Sequence, residues 1–184
     1  MNAFEDIVAQ YLEEEGYWVR QSVKVDILSE DKQKIGTPTM PRPEIDIVAL
    51  NVNKNELLLI EVKSYLDSYG VYFEAISDKN DEGANRYRLF TNSNFRNIVT
   101  KRLREEYQKR GLINENTKIN YALAAGHIHY PEDVPKIRDY FSKQKEKWIL
   151  ISPEDIKEKL RELATKGWED NLVTITTKLI LKGK

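Results

Sequence analysis

The chain has 184 residues, a net charge of −1 and no cysteine, so disulfides, thiol nucleophiles and Cys-ligated zinc are excluded. Its length is enough for one domain to bury a core without covalent staples. No apolar run approaches a membrane span, and the first residues lack the basic and apolar regions of a secretion signal, so a cytoplasmic protein with no membrane partner is expected.

Phe4, Ile7, Val8, Tyr11 and Leu12 fall at helical spacing, and Gly16 stands where a C-capping glycine belongs. Residues 17–28 alternate and read as a strand. Residues 29–43 contain Gly36, Pro38, Pro41 and Pro43 and read as a loop. Apolar runs at 44–50 and 56–63, joined by a short asparagine-rich turn, predict an antiparallel hairpin. Residues 64–83 read as irregular. Helix resumes near 84 and covers 95–110, where Phe95, Val99, Leu103 and Tyr107 recur every fourth residue before Gly111. A strand is predicted at 119–128, a helix at 132–141 and a short strand at 148–151. Ser152-Pro153-Glu154-Asp155 starts another helix, with Ser as N-cap, Pro in the first turn and acids following, and it runs to about 166. Residues 168–181 suit either state by pattern and are read as helix. The order predicts an α/β domain over 1–184, with a mixed central sheet flanked by helices. Its core covers about 1–128, and a helical extension covers about 132–184.

Charge is segregated along this chain. Residues 1–16 carry five acids and no Lys or Arg, whereas residues 86–110 carry eight cations against Glu105 and Glu106. Arg86, Arg88, Arg96, Lys101, Arg102 and Arg104 are therefore candidate phosphate contacts, with a solvated helix face as the plainer reading.

The hairpin carries charge where a buried strand should not: Asp46 in Glu44-Ile45-Asp46-Ile47, and Glu61-Val62-Lys63 after Leu57-Leu58-Leu59-Ile60. Side chains alternate, so Glu61 and Lys63 share one face. Counting across the turn sets residue 46 near 60 or 61, which brings Asp46 and Glu61 together. Two close carboxylates repel unless a cation lies between them, and hard oxygen ligands favour Mg²⁺ or Mn²⁺. A lysine beside such an ion serves as a proton acceptor or a charge stabiliser.

Asp46, Glu61 and Lys63, on a hairpin that follows an N-terminal helix, resemble the triad of the PD-(D/E)xK nuclease superfamily. That resemblance covers about residues 1–128 and implies a restriction-endonuclease-like αβββαβ core. It also implies a metal held by Asp46, Glu61 and the Val62 carbonyl, Lys63 positioning or activating the attacking water, and products with 5′-phosphate ends. Glu5 of the first helix is the candidate for an additional ligand. The proline of the family name is displaced: Pro43 lies three residues before Asp46. The activity implied is Mg²⁺-dependent hydrolysis of phosphodiesters, with DNA as the expected partner. A homodimer is expected where both strands are cut. The alternative is a catalytically silent nucleic-acid-binding module on the same fold.

Three further features stand outside the triad. His127 and His129 share a strand face but have no evident third ligand. Glu44 shares the face of Asp46, with Arg42 as a possible ion-pair partner. Tyr65, Tyr69, Tyr72 and Phe73 form an aromatic cluster that either packs its loop, forms a dimer contact or meets bases.

Overall fold

The computed structural model describes residues 3–167 and 171–181. Its centre is a five-stranded mixed sheet in the order β1-β2-β3-β4-β5. The strands are β1 (Trp18–Lys24), β2 (Glu44–Asn51), β3 (Glu56–Lys63), β4 (Lys118–Ala125) and β5 (Trp148–Ile151). The first three pair antiparallel, while β3–β4 and β4–β5 are parallel.

Helix α1 (Ala3–Glu14) buries Phe4, Val8 and Leu12, and Gly16 closes it at φ 82°, the left-handed conformation glycine adopts without a Cβ clash. With Ile156 of α7 (Pro153–Thr165), α1 covers one sheet face over Ile47, Leu58, Ile60 and Val62. The other face packs on α5 (Ser93–Lys109), whose Val99, Leu103 and Tyr107 meet Val48, Leu57, Leu59 and Leu123. Strand β3 is thus buried on both faces, which explains its unbroken apolar run. The Asn92 side chain caps α5 by accepting the Phe95 N–H at 2.9 Å, and Ser152 with Asp155 forms the capping box of α7.

The expected loop at 29–43 needs correction, because Ser29–Ile35 is a helix, α2. The Asp31 carboxylate reaches back to the Leu28 N–H at 3.0 Å, Gly36 closes the turn at φ 80°, and Ile35 is buried. Asp31 also accepts from Arg102 Nε at 2.7 Å, fastening α2 to α5. β1 ends at Lys24 rather than 28, although the Val25 N–H still donates to the Pro43 carbonyl at 2.8 Å. The stretch read as irregular holds a short helix, α3 (Phe73–Ser77). A single 3₁₀ turn (Ala84–Arg86) and α4 (Arg88–Thr91) precede α5. β4 stops at Ala125, and Ile128 makes an isolated parallel bridge with Val71.

The C-terminal third is more than a helical extension: after α6 (Asp133–Ser142), β5 joins the sheet beside β4. Of the ambiguous last stretch, Leu172–Leu181 is helix α8, while 168–170 lie outside the described residues. No helix among the described residues is long and apolar enough to cross a membrane.

Candidate active site

The β2–β3 ladder pairs Ile47 with Ile60 and Asn51 with Glu56; one further step sets Asp46 opposite Glu61. By alternation, Asp46, Glu61 and Lys63 project to the α5 side of the sheet, where Val48 and Leu59 also point. Beyond Ile60 the ladder stops, and the Asp46 side chain takes over: its Oδ2 accepts the Val62 N–H at 2.7 Å. The next carbonyl, that of Lys63, faces β4, where it accepts from the Gly126 N–H at 2.8 Å. Main-chain groups alternate, so the Val62 carbonyl faces the β2 side, where Asp46 sits. Ser22, opposite Asp46 in the β1 register, has φ 51°, an uncommon conformation for a non-glycine residue in a strand.

Lys63 Nζ lies 2.9 Å from Glu61 Oε1, with the two side chains 19 % and 11 % exposed. Burial pushes the Glu61 carboxyl up to about 7, although Lys63 and the Leu89 N–H both favour its ionised form. Burial also raises Asp46, against the opposing pull of the Val62 N–H and Lys63. For Lys63, burial alone would lower the ammonium, but Glu61 and Asp46 outweigh it and its pKa is raised. The centre therefore holds one cation against two acids, and burial still disfavours both negative charges.

These side chains open onto a cavity of about 600 Å³. One wall is the strap of Met40, Pro41, Arg42 and Pro43 before β2; the other carries Asn85, Arg86, Arg88 and Leu89. Lys24, Arg42, Arg86 and Arg88 thus surround the acids Glu44, Asp46 and Glu61. The Arg88 guanidinium stacks 4.2 Å from the Phe95 ring centroid, and burial lowers its pKa, with Glu61 opposing. A cationic rim around an acidic centre suits a polyanion whose reacting phosphate needs a metal.

The other sequence candidates separate clearly. Arg86 and Arg88 reach the cleft. Arg96 turns inward, donating to the Leu89 and Phe90 carbonyls at 2.9 and 3.2 Å and lying 4.9 Å from the Trp148 ring. Arg102 is engaged by Asp31 and Glu105, Arg104 donates to the Thr117 carbonyl at 2.9 Å, and Lys101 is 3.8 Å from Glu105. Glu5 is half-buried on α1, whose core residues pack on the sheet face opposite the one from which the triad projects. His127 and His129 hold the 64–72 loop, with Nδ1 atoms 3.2 and 2.8 Å from the Ser68 and Tyr69 carbonyls. Arg42 pairs with Asp26 at 3.2 Å rather than with Glu44. Lys24 and Asn85 were missed as cleft residues. Only the contact between strand ends and the 84–88 segment brings them in, and no local pattern shows that.

Compared with protein-family models, with curated proteins and with solved structures, the chain matches none.

Among the described residues no group of three or more Asp, Glu, His or Cys converges as a metal cluster. Mg²⁺ needs fewer protein ligands, since it keeps waters and takes one or two carboxylates plus substrate phosphate. Asp46, Glu61 and the Val62 carbonyl fit that demand as an all-oxygen set, and an all-oxygen set does not suit zinc.

Proposed function

We propose that the chain is a Mg²⁺- or Mn²⁺-dependent nuclease of the PD-(D/E)xK type that hydrolyses phosphodiester bonds in DNA. The supporting observation is the placement of Asp46, Glu61 and Lys63 on adjoining strands, at the floor of a cleft rimmed by Lys24, Arg42, Arg86 and Arg88. Asp46 and Glu61, with the Val62 carbonyl, would hold the ion. When bound, the ion supplies Lewis-acid polarisation of the phosphate and a more acidic water. Lys63 enters as a cation, because its ammonium is stabilised by the acids beside it. Beside the ion it would stabilise charge and orient the nucleophile. The rim cations hold the backbone so that a water oxygen bonds to phosphorus as the bond to the 3′ oxygen breaks, leaving a 5′-phosphate and a 3′-hydroxyl. A single such site cuts one strand, so cutting both calls for a second copy or a second encounter.

The test is cleavage of plasmid and single-stranded DNA in Mg²⁺, Mn²⁺ or EDTA. Wild type should cut only with metal, and Asp46→Ala, Glu61→Ala and Lys63→Ala should each lose at least about 10²-fold. Cleavage that survives all three substitutions refutes the assignment. Binding without cleavage by wild type leaves the silent binding module in its place.

A further inference from the structure

Directly after Lys63 the chain enters the 64–72 loop, which displays aromatic surface to water. Tyr69 is 57 % exposed and Tyr130 44 %. The Tyr69 ring stacks on His129 with centroids 3.6 Å apart and planes 16° apart, and its hydroxyl lies 3.2 Å from that of Tyr130. Tyr72 meets Tyr69 edge-on at 5.7 Å. Tyr72 packs partly on the core, but Tyr69 and Tyr130, if they served only to pack the loop, would be buried as well. The anchoring is done by hydrogen bonds: beside the two histidine side chains, the Val71 N–H donates to the His127 carbonyl at 3.0 Å and the His129 N–H to the Val71 carbonyl at 2.8 Å. Gly70, at φ 94°, is required by this close approach, since a Cβ would come within 2.9 Å of His127 Nδ1. The loop is therefore fixed, and Tyr69 and Tyr130 are left exposed on its surface.

This surface adjoins the cleft. β3 and β4 are parallel, so the chain leaves both at the sheet end that carries Glu61 and Lys63. The Tyr72 hydroxyl packs so closely on Gly83 that a Cβ there would come within 2.5 Å of it. Gly83 begins the turn that brings Asn85 and Arg86 into the cleft wall.

We propose that Tyr69, with Tyr130 beside it, is a stacking platform for an unpaired base of a single strand whose phosphates run along the Arg86–Arg88 wall. The cleft part of this rests on the nuclease reading; the stacking part is independent of catalysis. A base within a duplex hides its faces, so an exposed tyrosine face selects a splayed or single-stranded base.

The test uses a short single-stranded DNA carrying 2-aminopurine, and its duplex, in EDTA so that nothing is cut. Anisotropy should show Tyr69→Ala weakening single-strand binding about tenfold, with duplex affinity unchanged. Wild type should quench the 2-aminopurine emission, Tyr69→Ala should restore it, and Tyr69→Trp should keep the quenching. Tyr130→Ala, which leaves the loop anchors intact, should give a smaller loss in the same direction. Equal single-strand affinity of wild type and Tyr69→Ala overturns the platform and leaves this patch to a protein partner. If wild type also cuts DNA, that result refutes the platform alone; a wild type that neither binds nor cuts refutes both readings.

Discussion

Strand β3 holds two glutamates five residues apart, Glu56 and Glu61, in opposite environments. Glu56 is 6 % exposed and fully satisfied: the Tyr17 hydroxyl donates to Oε1 at 2.6 Å and Asn120 Nδ2 to Oε2 at 2.8 Å. Burial, then donation to Glu56, pushes the Tyr17 hydroxyl up, so it stays a neutral donor. Glu61 instead meets a lysine, lies across from Asp46 and opens onto a cavity of about 600 Å³. Both are buried acids on one strand. Closed neutral donors mark a structural role at Glu56, while a cation, a second acid and access to a cleft set Glu61 apart as the acid the proposed function relies on.

Paired substitutions should separate the two roles. Glu61→Gln keeps the shape but removes the charge, and should lower metal-dependent cleavage by at least about 10²-fold while the fold persists. Glu56→Gln turns an amide N–H₂ toward a buried donor and should cost about 1–3 kcal/mol in denaturant unfolding, with cleavage retained under conditions where it stays folded. If Glu56→Gln abolished cleavage in the folded protein, or Glu61→Gln left it intact, the contrast would fail.

A pH titration sharpens the comparison further. Glu61 is raised to about 7 from an ordinary 4.5, so the folded state binds the extra proton between those values. Its contribution is fully present below pH 4.5 and is lost as pH rises through about 7. Asp46 shifts in the same direction and adds to it. In EDTA the protein should therefore lose stability between pH 5 and 8, by up to roughly 3 kcal/mol from Glu61. Asp31 and Asp155 have lowered values, so their stabilising contributions fall away only on acidification, below this window. Glu61→Gln should flatten the slope, and Mg²⁺ at pH 8 should recover stability in wild type. A flat wild-type profile would show that Glu61 is not held in a charge-disfavouring environment.

What the sequence made readable follows the range over which each interaction acts. Asp46, Glu61 and Lys63 could be brought together because a short turn (residues 52–55) and a two-residue side-chain period determine the register locally. The capping box at Ser152 and the glycine stops at 16 and 111 are local in the same way. Helix α2 was missed because it has only seven residues amid prolines and glycine, and part of what fixes it lies far along the chain: Asp31 meets Arg102, 71 positions away. Glu56 gave no signal because its partners, Tyr17 and Asn120, are 39 and 64 positions distant. In the basic run at 86–110 composition counts charges but not their placement: Arg96 turns to the Leu89 and Phe90 carbonyls and Arg110 to Glu106 within the run, while Arg102 and Arg104 reach Asp31 and the Thr117 carbonyl outside it.

That run supplies the subtlest test, since Arg86 and Arg96 look alike in sequence and differ in place. Arg86 is exposed on the cleft wall. Arg96 closes the end of α4 through two carbonyls and stacks on Trp148, so it holds the segment that presents Arg88 and the Leu89 N–H to the centre. Arg96→Ala should cost about 2 kcal/mol of stability, the loss of charge-assisted hydrogen bonds and a cation–π contact. Arg86→Ala should leave the melting temperature unchanged and weaken DNA binding modestly, with the slope of log affinity against log salt reduced by about 1. Equal salt slopes for wild type and Arg86→Ala would remove Arg86 from the phosphate path and leave the backbone to Arg88, Arg42 and Lys24.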